Sequence, residues 1–442
     1  MSREGSLEAP TRHPLGQNES SFYDEESLNK ELERVFDICH GCRRCFNLCE
    51  SFPTLFDLVD ESDTGEVDGV ALEDYEKVVD HCFQCDMCYQ TKCPYVPPHE
   101  WNVDFPHLML RAKAKKFRDG QSKFRDRLIT STDQMGAVVS TPGIAQAANM
   151  ANKSKLFRNV LDSTLEIHPD ASLPEYQSAT LNRRTRSHKP KTAKVTETEQ
   201  TTGKVALFAT CFGNFNAPEL GEDFIKVFEH NDIPVEVIRD AKCCGMPKFD
   251  LGDLDSVDQA KTFNIPKLSS YIDQGYDIIT LIPSCTLMFK QELPLMYPDE
   301  SQVRKVAEAM FDPFEYLILR HKEGLVNLDF KESLGKVAYQ VACHQRVQNI
   351  GLKTREALEL IPDTEVVPIE RCSGHDGTYT FKSERHESAM KILKPVVSKV
   401  KQLEAAYYMS DCAMAGKHIE HGLNDGTRAS HPISLLKFAY GL

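Results

Sequence analysis

KVALFATC, residues 204–211, is a short apolar run that ends in cysteine, and KVAYQVAC, residues 336–343, is another. Both have the composition of a strand buried on both faces. IPVEVIRD (233–240), YDIITLIPSC (276–285) and DTEVVPIERC (363–372) are runs of the same kind. They alternate with helical segments such as PELGEDFIKVFEHN (218–231) and LKTREALELI (352–361), so residues 204–442 read as an α/β domain. The domain also repeats itself, with halves at about 204–330 and 331–442. Each half opens with a strand ending in cysteine (Cys211, Cys343), then runs through a helix and a second strand. A Cys-x-Gly turn comes next, CCG at 243–245 and CSG at 372–374, and a later cysteine closes the half (Cys285, Cys412). Cysteines that follow strands stand at strand C-termini, where open α/β sheets place their sites.

Upstream, sulfur is packed far more densely. CHGCRRCFNLC (39–49) holds Cys39, Cys42, Cys45 and Cys49, and CFQCDMCYQTKC (82–93) holds Cys82, Cys85, Cys88 and Cys93. SLNKELERVFDI (27–38) and ALEDYEKVVDH (71–81) carry apolar residues at helical spacing, so a helix is expected to feed each run. Disulfides have no motive in a chain of 442 residues that can build its own cores. Zinc knuckles want paired C-x2-C motifs and have no use for a third cysteine in each run. Three cysteines at i, i+3, i+6 with a distant fourth suit the corner of a cubane, the fourth reaching the neighbouring cluster. Crossed ligation is the expectation. Cys39, Cys42, Cys45 and Cys93 would hold one [4Fe–4S] cluster, and Cys82, Cys85, Cys88 and Cys49 the other.

The chain is acidic, with a formal net charge of −14, which argues against a nucleic-acid partner. Fifteen cysteines, no apolar leader at the start and no run long enough to span a bilayer point to a reducing cytoplasm. Residues 1–26 read as a mobile arm, 27–110 as an α-helical di-cluster module, 111–181 as a basic helical connector and 182–203 as a solvated linker. The basic stretch 111–127 invites a peripheral contact with the inner membrane face, a quinone or an acidic partner. His418 and His421, at i, i+3 near the end, read as surface residues, and Trp101 as packed on the cysteine-run module.

The stretch CPYVPPHEWNVDFPHLMLRAK (93–113), followed by the two CCG-type halves, resembles the family of the iron–sulfur C subunit of anaerobic glycerol-3-phosphate dehydrogenase. More broadly it is similar to the cysteine-rich family that includes the catalytic B subunit of heterodisulfide reductase. The resemblance implies an α + α/β architecture, a helical ferredoxin-like module with two [4Fe–4S] clusters followed by a CCG domain of two pseudo-repeated halves. A complete half in that family is C…CCG…C-x-x-C. Here half one offers Cys211, Cys243, Cys244 and Cys285, with Met288 at the last position. Half two offers Cys343, Cys372 and Cys412, with Ser373 and Ala415 at the remaining places. An additional iron–sulfur or zinc centre is expected there, with His344 the first candidate to complete half two and His375 the next.

There is no G-x-G-x-x-G after a strand and no Walker loop, so neither an NAD nor a flavin site is expected. Three functions compete. One is an electron-transfer subunit between a flavoprotein dehydrogenase and a quinone or other acceptor. The second is a self-contained reductase of a disulfide or related substrate at the CCG centre. The third is a cluster-based redox sensor.

Overall fold

The computed structural model describes residues 10–91 and 93–442. A helical N-terminal module is followed by two small parallel sheets, each wrapped by helices.

The N-terminal module is built on the helices Glu25–Cys42, Ser51–Asp60 and Phe105–Arg118. The first starts where Asp24 accepts from the Ser27 amide, with Glu25 and Glu26 in its first turn, and buries Leu28, Leu32, Val35 and Phe36 on one stripe. The third starts where Asp104 accepts from the His107 amide, with Pro106 in its first turn. Aromatic rings lock the three together: Phe36 meets Tyr75 edge-on at 5.1 Å, and Phe52 lies 4.7 Å from Phe105. The expected second feeder helix is short, only Tyr75–Val79 after a single 3-10 turn.

In half one, β1 (Val205–Phe208) pairs in parallel with β2 (Val235–Ile238) on one side and β3 (Asp277–Thr280) on the other. A two-residue β4 (Met310–Phe311) extends the sheet beyond β3, giving the order β2-β1-β3-β4. In half two, β5 (Gly335–Gln340) lies between β6 (Thr364–Ile369) and β7 (Tyr407–Ser410), again all parallel. The five quoted apolar runs contain β1, β2, β3, β5 and β6. The other two strands carry little signal in the sequence: β4 is two residues long, and the YYMS of β7 lacks β-branched residues.

The halves do not stay separate. The last helix, Pro432–Tyr440, returns to the helix Pro218–His230 of half one, where Lys437 pairs with Asp223 at 2.7 Å. Tyr440 donates to the Asn327 carbonyl at 2.8 Å.

The connecting segments depart in part from expectation. Residues 10–24 are docked, not a free arm. Arg12 is buried and meets Asp86 at 2.6 Å, Asp104 at 2.8 Å and Glu292 at 3.4 Å, and the Gln17 amide reaches the Met296 carbonyl at 2.5 Å. Residues 1–9 of the expected arm lie outside the described residues. The segment 182–203 is exposed over most of its length but anchored at points: Arg239 donates to the Thr185 carbonyl at 2.6 Å, and His188 bonds the Val235 carbonyl at 3.0 Å. The basic stretch is paired in part within the chain, while Arg118, Lys123 and Arg127 remain exposed. Lys113 pairs with Asp250, Lys116 with Glu76 and Asp80, Lys123 with Glu166, and Arg125 with Asp126 and Glu384. Lys113, Lys116, Lys123 and Arg125 thus meet carboxylates from elsewhere in the chain.

Candidate metal centres

The helix Glu25–Cys42 carries Cys39 and Cys42 on its last turn, and Arg43 ends it in the left-handed region at φ 51°. That turn sends Cys45 back beside them. Cys93 arrives from the far end of the second run, and the four thiols line one hollow with Phe52, Phe56 and Val103. Burial pushes the Cys39 thiol well up, with Cys93, Cys45 and Cys42 adding to it. Burial also raises Cys93, to about 11, against the backbone amides of Tyr95 and Val96 that point at its sulfur. Trp101 packs on Tyr95 at 4.6 Å and closes this side.

The second run winds through two left-handed residues, Gln84 (φ 51°) and Asp86 (φ 57°). Cys49 sits beside Cys85 and Cys82, and Cys88 beside Cys45, Cys85, Cys82 and Cys49. The structure therefore brings Cys93 to the first run and Cys49 to the second, with Cys45 and Cys88 at the seam. Lys113 donates to the Cys82 carbonyl as well as to Asp250, tying this loop to half one.

In half one, parallel pairing puts the ends of β1, β2 and β3 on one edge, and each cysteine follows such an end. Cys211 and Cys243 approach to 3.9 Å between sulfurs, and Cys244 bonds both Cys243 and Cys285. Gly245, at φ 101°, makes the turn in a region that favours glycine. Donors converge on Cys243: the Cys211 and Cys244 thiols, the Thr132 hydroxyl at 3.4 Å and the Gly245 amide. They hold that thiol well below its usual range, against the burial that would raise it. Thr132, on the helix Thr132–Val139 of the connector, carries no signal in the sequence that would mark it as such a donor. Met288, fully buried, covers the turn.

In half two the Cys343 and Cys372 thiols share a hydrogen bond, and Cys412 follows the end of β7. Sequence reasoning misses a further donor here: Asp376, whose Oδ2 lies 3.4 Å from the Cys372 sulfur. It is the acidic residue of the CSGHDG turn, and the thiol losses at Ser373 and Ala415 are the signal to look for one. His344 is not turned toward these thiols. Its Nε2 donates to the Gln84 carbonyl at 2.9 Å, and its Nδ1 meets the Ser284 hydroxyl at 2.8 Å. A carbonyl only accepts, so Nε2 carries the proton. His375 faces Phe381 and His418, and burial lowers it to about 4. His418, expected at the surface, is buried, while His421 is exposed.

The modules meet at sulfur. Cys85 of the second run shares a hydrogen bond with Cys343 of half two, beside an apolar contact of Phe83 with Tyr379. His81 clamps the same seam. Arg385 can only donate, so His81 accepts at Nε2 (2.6 Å) and donates from Nδ1 to Tyr379 (2.7 Å). Among the described residues, no three His, Cys, Asp or Glu side chains close into the shell of a single metal ion. No helix among them is long and apolar enough to cross a membrane.

The cysteine-rich CCG domain model matches this chain twice, at residues 205–290 and 337–418. The C subunit of the anaerobic glycerol-3-phosphate dehydrogenase of Escherichia coli (strain K12) is 30% identical over 338 residues, 76% of this chain and 82% of that protein. The B subunit of the fumarate reductase (CoM/CoB) of Methanothermobacter marburgensis is 27% identical over 247 residues, 54% of this chain and 46% of that protein. Lactate utilization protein A of Geobacillus kaustophilus is 26% identical over 219 residues, 47% of this chain and 87% of that protein. With that coverage and the cysteine-rich CCG domain present twice, the chain belongs to the family of the C subunit of anaerobic glycerol-3-phosphate dehydrogenase.

Proposed function

We propose that this chain is the electron-transfer subunit of an iron–sulfur oxidoreductase, standing between a flavoprotein dehydrogenase and a quinone or other acceptor. Cys39, Cys42, Cys45 and Cys93 would hold one [4Fe–4S] cluster, and Cys82, Cys85, Cys88 and Cys49 a second. Cys211, Cys243, Cys244 and Cys285 would hold a further centre. Bound clusters of this kind exchange single electrons at potentials set by burial and by hydrogen bonds to their sulfurs. The donor sets fit such groups: two quartets of thiols, largely shielded from solvent, with amides of Tyr95 and Val96 aimed at Cys93. Their raised thiols must give up protons on loading, so loading is expected to be pH-dependent.

The observation that carries the reading is the contact of Cys85 with Cys343. It makes half two a direct neighbour of the second quartet at sulfur. The connector helices expose Val138, Met150, Leu156 and Val160 at 62, 70, 77 and 47%, which supports a protein partner there. A second reading, a reductase acting at half two, draws on its count of only three thiols.

The test is anaerobic reconstitution of the full chain followed by potentiometric EPR. Two interacting cubane signals are expected, and Cys343→Ser should alter the signal of the second while sparing the first. Zinc in place of iron, or a Cys343→Ser protein with both signals unchanged, would overturn it.

A further inference from the structure

We infer that Asp376 supplies the fourth protein ligand of the half-two centre, an oxygen donor beside the thiolates of Cys343, Cys372 and Cys412. The inference rests on the reading above that half two holds an iron–sulfur or zinc centre, and it adds the donor that the cysteine pattern lacks. Ser373 and Ala415 stand where further thiols would be, and the Ser373 hydroxyl is engaged by the His375 amide at 3.4 Å. His344 is held by Ser284 and Gln84. A fourth donor must come from another side chain.

Asp376 is the carboxylate in position. Its Oδ2 is 3.4 Å from the Cys372 sulfur, and it is a neighbour of Cys343, Cys412 and Cys85 as well. The turn that presents it is unusual in its backbone. Gly374 and Gly377 lie at φ 73° and 57°, and Asp376 itself, with a side chain, lies at φ 42°. A Cβ on Gly374 would stand 2.3 Å from the Ala389 carbonyl oxygen, so the turn is seated tightly on the helix Ser383–Leu403. A non-glycine residue persists in that region only where its surroundings hold it there.

The Asp376 side chain has one hydrogen-bond partner among the described residues, the Cys372 thiol. Burial raises its carboxyl to about 7, the bond from Cys372 lowers it and Asp250 raises it further, and among the described residues no cation acts on it. A buried carboxyl without a cation is neutralised by a proton, and a metal ion at the neighbouring thiols would take that proton's place. An oxygen donor among thiolates also holds its iron less firmly than a fourth sulfur does. The half-two centre is therefore site-differentiated, with one exchangeable iron where a small exogenous ligand can enter.

The experiment uses the full chain, reconstituted anaerobically, as wild type and as Asp376→Cys, Asp376→Ala and Cys343→Ser. The wild type should lose one iron per chain on treatment with ferricyanide, giving a three-iron EPR signal. Asp376→Cys should abolish that loss, and Asp376→Ala should show it without oxidant or lose the centre outright. The signals of the N-terminal clusters report folding in every variant. If Cys343→Ser loses the centre while Asp376→Ala keeps the wild-type iron content and spectrum, Asp376 is no ligand and only this inference falls. If neither substitution changes metal content, there is no half-two centre, and the inference falls together with the reading it rests on. Misfolding of Asp376→Ala leaves Asp376→Cys to decide, since retained iron loss in that variant also refutes the inference.

Discussion

His344, just beyond the end of β5, donates from Nε2 to the carbonyl of Gln84 at 2.9 Å while its Nδ1 holds the Ser284 hydroxyl at 2.8 Å. One imidazole thereby joins three cysteine-bearing segments, for it is chain neighbour to Cys343, Ser284 to Cys285, and Gln84 to Cys85. A histidine in this position acts as a clamp, and its removal should loosen the seam without removing metal. His344→Ala should destabilise the chain by about 1–3 kcal/mol, the range for polar groups left unpaired on burial. Its iron content should match the wild type. Loss of iron with unchanged denaturation would assign it as a ligand instead.

The crossed placement of Cys49 and Cys93 sets a second expectation. Cys93→Ser should damage the cluster of Cys39, Cys42 and Cys45, and Cys49→Ser that of Cys82, Cys85 and Cys88. Mössbauer spectra of the two variants decide it, since uncrossed ligation would exchange the two outcomes.

Arg12 is a buried cation among three carboxylates, Asp86, Asp104 and Glu292. Removing it leaves their charges uncompensated. Arg12→Met should cost about 3–5 kcal/mol, read from denaturant midpoints. An effect below about 1 kcal/mol would mean that residues 10–24 contribute little to the fold.

Arg125 grips Glu384 with two hydrogen bonds, at 2.7 and 2.8 Å, and joins the connector to the helix Ser383–Leu403 of half two. Burial would raise Glu384, but the bonds from Arg125 outweigh it and hold the carboxyl at about 2. The folded value lies below the unfolded one of about 4.3. The stabilisation is therefore complete above that pH and lost as pH falls toward 2. The stability difference between wild type and Glu384→Gln should shrink as pH falls from about 5 to about 3, and a constant difference would remove the pair from the acid response.

Thr132 donates to the Cys243 sulfur. A hydrogen bond to sulfur favours the reduced, more negative state of a bound centre. Losing roughly 1 kcal/mol of it corresponds to about 40 mV for one electron. Thr132→Val should lower the midpoint potential of the half-one centre by that order, with both N-terminal potentials unmoved. An upward shift would contradict the donor role.

The residues themselves determined the parts that depend on local spacing. Apolar runs that end in cysteine mark strands, and because parallel strands bring their C-terminal ends to one edge, the order strand–cysteine already places Cys211, Cys243 and Cys285 together. Helical periodicity likewise marks Leu28, Leu32, Val35 and Phe36 as a buried stripe. Only the tertiary structure decided the rest, because those partners lie far apart in sequence. Arg12 and Glu292 are separated by 280 residues, and Arg125 and Glu384 by 259, so segments that look solvated by composition become packed when a distant charge meets them. Asp376 is hidden in the sequence for the same reason. A lone aspartate in a glycine turn has no periodicity to betray it, and its meaning comes from the thiols that follow β5, β6 and β7 at one edge of the half-two sheet.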